Sequence, residues 1–207
     1  MVMKTKINIV WYKRDLRIHD HLPLSKAAEE SLPVLPIYVV EPNYWQQPFA
    51  SLRHWSFIHD CLVDLRQDTE ALGQPLTITI GEVCEILDAL NKQYCVNKIF
   101  SHEECGNKWT YDRDKSVVAW CRENQVSMHE FPHNGVIRGL KSRDNWSRLR
   151  NSRMAQPLVE PPKMLKSVNN HPIGEIPSTS DPLFGSKFEG KVQVGGRREA
   201  LKLLDSF

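Results

Sequence analysis

Five short apolar segments recur along the first part of the chain, and this recurrence constrains the fold more than any other feature. They occupy residues 7–11, 34–40, 76–80, 98–102 and 126–131. They are nearly continuous apolar stretches and not long, strict alternations of apolar and polar residues. Such runs are typical of strands that are covered on both faces, as in a parallel sheet.

The segments between these runs show helical spacing. Apolar residues at positions 52, 55, 58, 62, 65 and 72 fall on one helical face, and Gly73 is a typical residue for the end of a helix. Similar patterns predict helices over residues 24–30, 83–90 and 109–124. Alternating strands and helices predict an α/β fold: a doubly wound, Rossmann-like, five-stranded parallel sheet with helices on both faces and right-handed crossovers.

After residue 131 the periodic pattern ends. The segment SRDNWSRLRNSRMA, residues 142–155, predicts one helix with Ser142 as a candidate N-cap. Residues 156–190 are rich in Pro, Ser, Asn and Gly, which predicts an extended connector lying over a surface. A further helix is expected after the pair Gly195–Gly196, so the chain divides into residues 1–135, 136–194 and 195–207.

Charge is unevenly distributed although the net charge is only +2. Residues 133–166 contain eight Lys or Arg and two acids, so this stretch carries +6 and the remainder carries −4. Such a stretch is either a solvated helix face or a surface for an anionic partner such as nucleic acid.

The cysteine spacing and the length of the apolar segments indicate the expected location of the protein and argue against metal and membrane proteins. Five scattered cysteines without ligand spacing favour a reducing, cytoplasmic location and no metal site. No apolar segment is long enough to cross a membrane, and residues 1–6 do not resemble a signal peptide.

Five charged residues, Lys13, Arg14, Asp15, Arg17 and Asp20, follow the first apolar run directly. In open α/β sheets, ligands bind beyond the carboxyl ends of the strands, so this loop should border a binding crevice. The two arginines either bind an anion or pair internally with the two aspartates. The chain has no GxGxxG, GxxxxGK[ST] or GxSxG motif, which argues against a standard dinucleotide site, a P-loop and a nucleophile elbow.

The string VWYKRDLRIHDHLPL resembles the opening signature of the DNA photolyase/cryptochrome family. Four later stretches resemble the family in the same order: PIYVVEPNYW, SLRHWSFIHDCLVDL, HEECGNKWTYDRDKSV and VGGRREALKLLDSF. By this resemblance, residues 1–135 are an α/β antenna domain and residues 136–194 a helix plus interdomain connector. Residues 195–207 would then begin a helical FAD-binding domain that this chain does not contain.

The resemblance implies a deoxyribodipyrimidine photolyase, in which excited FAD of the helical domain splits pyrimidine dimers in DNA. The expected partners are that helical domain and damaged DNA, with no membrane and no metal. This fragment is expected to hold no FAD, no catalytic residue and no activity of its own. Two alternatives remain: the same domain of a cryptochrome, which is a blue-light photoreceptor without repair activity, or a free-standing nucleotide-binding α/β module.

The resemblance also implies a possible light-harvesting antenna, which is a folate, a deazaflavin or FMN in different relatives. Folate-binding relatives carry an Asn-Glu pair where this chain has Trp109 and Thr110, so the type of antenna stays open. The basic stretch would either contact the helical domain, which we favour, or border the DNA. The candidate cofactor-binding residues lie behind the first, second and fourth strands: Arg14, Glu41, Tyr44, Arg53, Glu103, Glu104 and Asn107.

Overall fold

The five apolar segments form five parallel strands in the computed structural model, which describes residues 4–185 and 190–207. Residues 1–3 of the amino-terminal segment and 186–189 of the expected connector lie outside this description. The strands are β1 (Lys6–Tyr12), β2 (Val34–Val40), β3 (Thr77–Ile80), β4 (Cys95–His102) and β5 (Ser127–Phe131). The helices are α1 (Leu22–Glu29), α2 (Pro42–Trp45), α3 (Leu52–Ala71), α4 (Val83–Gln93), α5 (Lys108–Glu123), α6 (Trp146–Met154) and α7 (Arg197–Asp205).

The sheet has the strand order β3-β2-β1-β4-β5, with β1 at its centre. In the parallel register, Trp11 of β1 lies beside Ile37 of β2, and Val10 lies beside Phe100 of β4. The chain therefore winds in opposite directions on the two sides of β1, which is the doubly wound arrangement. The carboxyl ends of β1, β2 and β4 are adjacent, which is the place where α/β folds bind ligands.

Helices cover both faces of the sheet, as the sequence predicts. On one face, α4 and α5 pack residues such as Leu87 and Val117 against Ile9 and Ile37. On the other face, α1 and α3 pack Leu24 and Leu62 against the alternate residues of β1 and β2. Both faces of the central strands are thus dry, which explains why their sequences are continuously apolar.

Local side chains decide where several helices begin and end. His21 caps α1, since its Nδ1 accepts a hydrogen bond of 3.1 Å from the backbone N–H of Leu24. Gly73 follows the end of α3 with φ of +99°, a left-handed conformation that glycine adopts at little cost. The prediction that Ser142 caps the next helix is wrong: α6 begins at Trp146 with Asn145 before it, and the Ser142 hydroxyl bonds Asp144 instead.

The connector is mostly exposed, but several of its side chains are built into the core. Leu165, Val168 and Phe184 are 2%, 5% and 2% exposed, and they belong to the two apolar clusters that flank the sheet. Phe184 stacks on Trp55 with ring centroids 4.0 Å apart. At Gly174 the connector runs so close to β3 that an added Cβ would lie 2.0 Å from the Ile78 carbonyl oxygen.

The start of α7 is held on α3. The backbone N–H of Gly195 donates to Asp60 at 3.2 Å, and that of Arg198 donates to Asp64 at 3.3 Å. The Arg198 guanidinium pairs with Asp64 and, at 3.0 Å, with Asp68. The rest of α7 presents exposed apolar side chains, among them Leu203 and Leu204.

Among the described helices, none combines the length and the apolar character that a membrane crossing requires.

Candidate functional site

A crevice lies at the carboxyl ends of β1, β2 and β4, where the sequence predicts a binding site. The loop after β1, the short α2 after β2, the loop after β4 and the second turn of α5 form its walls, together with Ile58 of α3. The lining side chains combine aromatic rings with charged groups: Trp11, Tyr12, Lys13, Arg14, Tyr38, Val39, Glu41, Tyr44, Trp45, Ile58, Glu104 and Arg113.

Arg113 is the centre of the charge network in the crevice. Its Nη1 lies 3.0 Å from Glu41 Oε2, and its Nη2 bonds Glu104 and lies 2.9 Å from Asp114. Burial by itself would lower the pKa of Arg113, but the charges of Glu41, Glu104 and Asp114 outweigh burial and raise it. The guanidinium is therefore a fixed positive charge on the floor of the crevice.

The other cations are shared among the same carboxylates. Lys13 Nζ lies 3.2 Å from Asp114, and Arg14 Nε lies 2.9 Å from Glu104 Oε1. Glu104 and Asp114 thus each have a second cationic partner, whereas Glu41 pairs with Arg113 alone among the residues that the structure describes.

Glu41 is the least satisfied of these acids. Burial raises its pKa to about 7, although the Arg113 charge acts in the opposite direction. Its Oε1 is buried without a hydrogen-bond partner in the described structure. Buried polar atoms usually have partners, so this oxygen is an available acceptor for a donor that enters the crevice.

Aromatic rings form the apolar part of the walls. The Arg113 guanidinium lies 4.9 Å from the Trp11 ring centroid and 5.8 Å from that of Trp109. Tyr44 contacts Trp109 edge to face at 5.3 Å, and its hydroxyl lies 3.4 Å from Arg14 Nη2. Flat rings above a charged floor are suited to a planar heteroaromatic ligand.

The free space in the crevice is small, and the Arg14 side chain lies at its opening. The cavity volume is only about 50 Å³, which holds a few waters but no fused ring system. The Arg14 side chain is 53% exposed, and it lies across the opening between Glu104 and Tyr44. In this conformation the crevice is therefore too small for a planar ligand.

The structure brings four of the seven predicted cofactor-binding residues together in the crevice: Arg14, Glu41, Tyr44 and Glu104. Glu103 instead lines a neighbouring depression and lies 3.4 Å from Arg153.

The remaining two predicted residues lie elsewhere. The Asn107 side chain caps α5 by accepting from the Thr110 backbone N–H at 3.1 Å. Arg53 is exposed in the first turn of α3, outside the described lining of the crevice.

The predicted cofactor-binding residues do not include the crevice residues Trp11, Lys13 and Arg113. Trp11 and Lys13 flank the last residue of β1, so they were within reach of the positional argument that selected Arg14. Arg113 lies one helical turn after Trp109, and this i, i+4 spacing at the start of a helix was the available signal.

A second buried cluster, Asp15, His21 and His102, lies beside the crevice. Asp15 Oδ2 is 2.8 Å from His21 Nε2 and 2.6 Å from His102 Nδ1. His21 Nδ1 already accepts the Leu24 N–H, so a neutral His21 carries its proton on Nε2 and donates to Asp15. The three groups have the proximity of metal ligands, but this tautomer leaves Nε2 no lone pair for a metal. We therefore interpret the cluster as a buried hydrogen-bond network and not as a metal site.

The second interpretation of the loop after β1, in which its arginines pair with acids of the same loop, is supported for Arg17. Arg17 donates to the carbonyl oxygens of His19 and Asp20 and lies 3.7 Å from the Asp20 carboxylate. Arg17 therefore holds the loop together, and Arg14 is the arginine that faces the crevice.

Comparison with known proteins agrees with this architecture. The family model described as DNA photolyase matches residues 8–144. The chain is 27% identical to the blue-light photoreceptor PHR2 of Arabidopsis thaliana, over 96% of this chain and 49% of that protein.

Two solved structures show the same fold. A Synechocystis cryptochrome superposes with a TM-score of 0.80 at 18% identity, over 100% of this chain and 47% of the other. The second is an archaeal photolyase from Sulfolobus tokodaii, described with two FAD molecules and an implied novel light-harvesting cofactor. It superposes with a TM-score of 0.72 at 23% identity, over 96% of this chain and 46% of the other. The chain thus spans about half the length of these relatives. With the match over residues 8–144 and the shared fold, this chain belongs to the DNA photolyase family and has the α/β fold of its amino-terminal domain.

Proposed function

We propose that the chain is the amino-terminal domain of a light-dependent DNA photolyase and that its crevice holds a light-harvesting chromophore. The observation that carries this proposal is the unpartnered, buried Oε1 of Glu41 in a crevice walled by aromatic rings. A fused heteroaromatic ring with N–H groups on one edge would supply the missing donor.

The roles of the residues follow from their positions. Glu41 and Glu104 accept hydrogen bonds from the ring edge, and Trp11 and Tyr44 contact its faces. Arg113 keeps both carboxylates in place. Arg14 opens the crevice and then faces any carboxylate or phosphate tail. A chromophore held by these residues would supply light absorption and transfer of excitation energy to the flavin of the helical domain.

Titration of the purified chain with a folate, a deazaflavin and FMN tests the crevice directly. One of the three should bind with a change in absorbance, and Glu41→Gln should weaken it about tenfold, since a hydrogen bond to a charged group is lost. Glu85→Gln, an exposed acid on α4, is the matched control and should bind normally. Failure of all three ligands to bind, or equal affinity in Glu41→Gln, would contradict the proposal.

The helical FAD-binding domain is the proposed partner of the exposed face of α7. This chain alone is then expected to purify without FAD, and stoichiometric FAD in residues 1–207 would contradict the assignment.

The five cysteines are free, which supports the proposed location in a reducing cytoplasm.

Repair and signalling are separated by one assay on the protein with its helical domain present. Loss of pyrimidine dimers from DNA under blue light is the expected result. Absence of repair, in a sample whose FAD is reduced by light, would favour the cryptochrome alternative, which the resemblance to a photoreceptor and a cryptochrome keeps open.

A further inference from the structure

A basic surface with an exposed tryptophan lies outside the crevice, on α6 and the turn before it. Its residues are Lys141, Arg143, Trp146, Arg148 and Arg150, which we call the basic–aromatic surface. All five are exposed, and Trp146 exposes 44% of its area. The helix has no buried residue, so packing does not explain its composition.

Most charges of this surface are available to a partner. Among the described residues, Lys141, Arg143 and Arg148 have no ion pair, and Arg150 bonds only its neighbour Asn151. The one acid within residues 138–153 is Asp144, whose carboxylate accepts a hydrogen bond of 2.7 Å from Ser142. The surface therefore presents uncompensated positive charge, which is complementary to a polyanion.

The turn before α6 fixes an arginine beside the indole. The Trp146 backbone N–H donates to the Arg143 carbonyl oxygen at 3.0 Å, and Ser142 bonds both the N–H and the carboxylate of Asp144. The two side chains Arg143 and Trp146 border an open pocket. An aromatic face next to a guanidinium is the pairing that proteins use to stack a base and bind its phosphate.

The chemistry of this surface differs from that of a domain interface. Interface cores are depleted of charged residues, and α7 offers the apolar face that such an interface needs. A helix that inserts into a membrane surface also needs an apolar face, which α6 does not have. Charge and the exposed ring together favour nucleic acid over both alternatives.

We propose that the basic–aromatic surface binds nucleic acid that carries unpaired bases. Trp146 stacks on a base, and Lys141, Arg143 and Arg148 contact the phosphates. This site is separate from the crevice, and it does not require a chromophore or FAD in order to bind.

Fluorescence anisotropy of a labelled 15-nucleotide single strand, titrated with the 207-residue chain at several salt concentrations, tests the proposal. The single strand should bind several-fold more tightly than a hairpin duplex of equal charge. Trp146→Ala should weaken binding about tenfold and Trp146→Phe much less, since stacking remains. Arg143→Ala/Arg148→Ala should weaken binding and reduce the slope of log K against log salt by about 1.4, as two phosphate contacts are lost.

Lys92→Ala/Arg122→Ala is the matched control, because it removes two exposed cations from α4 and α5 and should leave binding unchanged. All substituted residues are exposed, so thermal unfolding should be the same for every variant. Three results would each overturn the proposal: no binding at 50 mM salt, equal binding by Trp146→Ala, or equal binding to the hairpin duplex. Equal affinity for polyglutamate or for anionic vesicles would assign the surface to another kind of partner.

Discussion

At the level of single residues, the site contains two buried acids, Asp15 and Glu41, whose pKa values are shifted in opposite directions. Asp15 accepts three hydrogen bonds, from the Lys13 backbone N–H, His21 and His102. Burial alone would raise the pKa of Asp15, but the bonds from His102 and His21 outweigh burial and hold it well below its usual range. Glu41 has a single cationic partner, and burial prevails there. The first acid fixes the loop, and the second is left available to a ligand.

His102 makes stability depend on pH. Burial lowers its pKa, against the opposing effect of Asp15 and with small contributions from His21 and Arg17. The unfolded chain then binds a proton more readily than the folded one, so stability should be lost as pH falls below about 6.5. His102→Asn retains an N–H for Asp15 but does not titrate. Its free energy of unfolding in urea should fall less between pH 7.5 and 5 than that of the original chain.

Part of the loss of unfolding free energy at low pH will remain in His102→Asn, because burial also lowers the pKa of His133 and of His171. An unchanged pH dependence in His102→Asn would show that His102 does not contribute.

At the scale of elements, the sequence was sufficient wherever burial imposes a pattern. All five strands and the helices that cover them were predicted. The two dry faces of the central strands and the buried faces of these helices require apolar residues at fixed spacing. The start of α6 was misplaced since no residue of that helix is buried and only cap residues could locate it. Ser142 and Asn145 are both acceptable caps, and only the structure distinguishes them. Arg113 escaped prediction because Glu41 and Glu104, its ion-pair partners outside α5, follow two separate strands that the sheet order brings close together.

The contact between α3 and α7 should behave as one unit. Asp64 bonds both the backbone and the side chain of Arg198, and its side chain is 10% exposed. Asp64→Ala should therefore increase amide hydrogen exchange in α7 about tenfold, since the hydrogen bond to the Arg198 backbone and the ion pair with its guanidinium are both lost. Exchange in the sheet should not change. Glu70→Ala, an exposed acid on the same helix, is the control. Slow exchange of α7 in Asp64→Ala would show that other contacts hold it.

At the scale of the whole molecule, the chain presents two uncovered surfaces of opposite chemistry. The basic–aromatic surface lies on α6, and an apolar surface on α7 exposes Leu201, Leu203, Leu204 and Phe207. The second is the kind of surface that folded proteins cover by association.

The apolar surface should make the isolated chain self-associate at high concentration. Gel filtration is expected to show earlier elution as the loading concentration rises. Leu203→Glu/Leu204→Glu should restore a concentration-independent monomer, because charge opposes burial of this face. Leu158→Glu, a residue 79% exposed in the connector, should elute as the original chain does. A monomer at every concentration would contradict the prediction.

The way the connector is built into both apolar clusters has a consequence for the integrity of the polypeptide. Residues 155–158 are exposed, whereas Leu165, Val168 and Phe184 beyond them are buried against the sheet and its helices. A protease that cut within 155–158 would therefore produce two fragments that stay together as one particle. Synthesised separately, the same two fragments should complement each other, with the later one completing the interior of the earlier one.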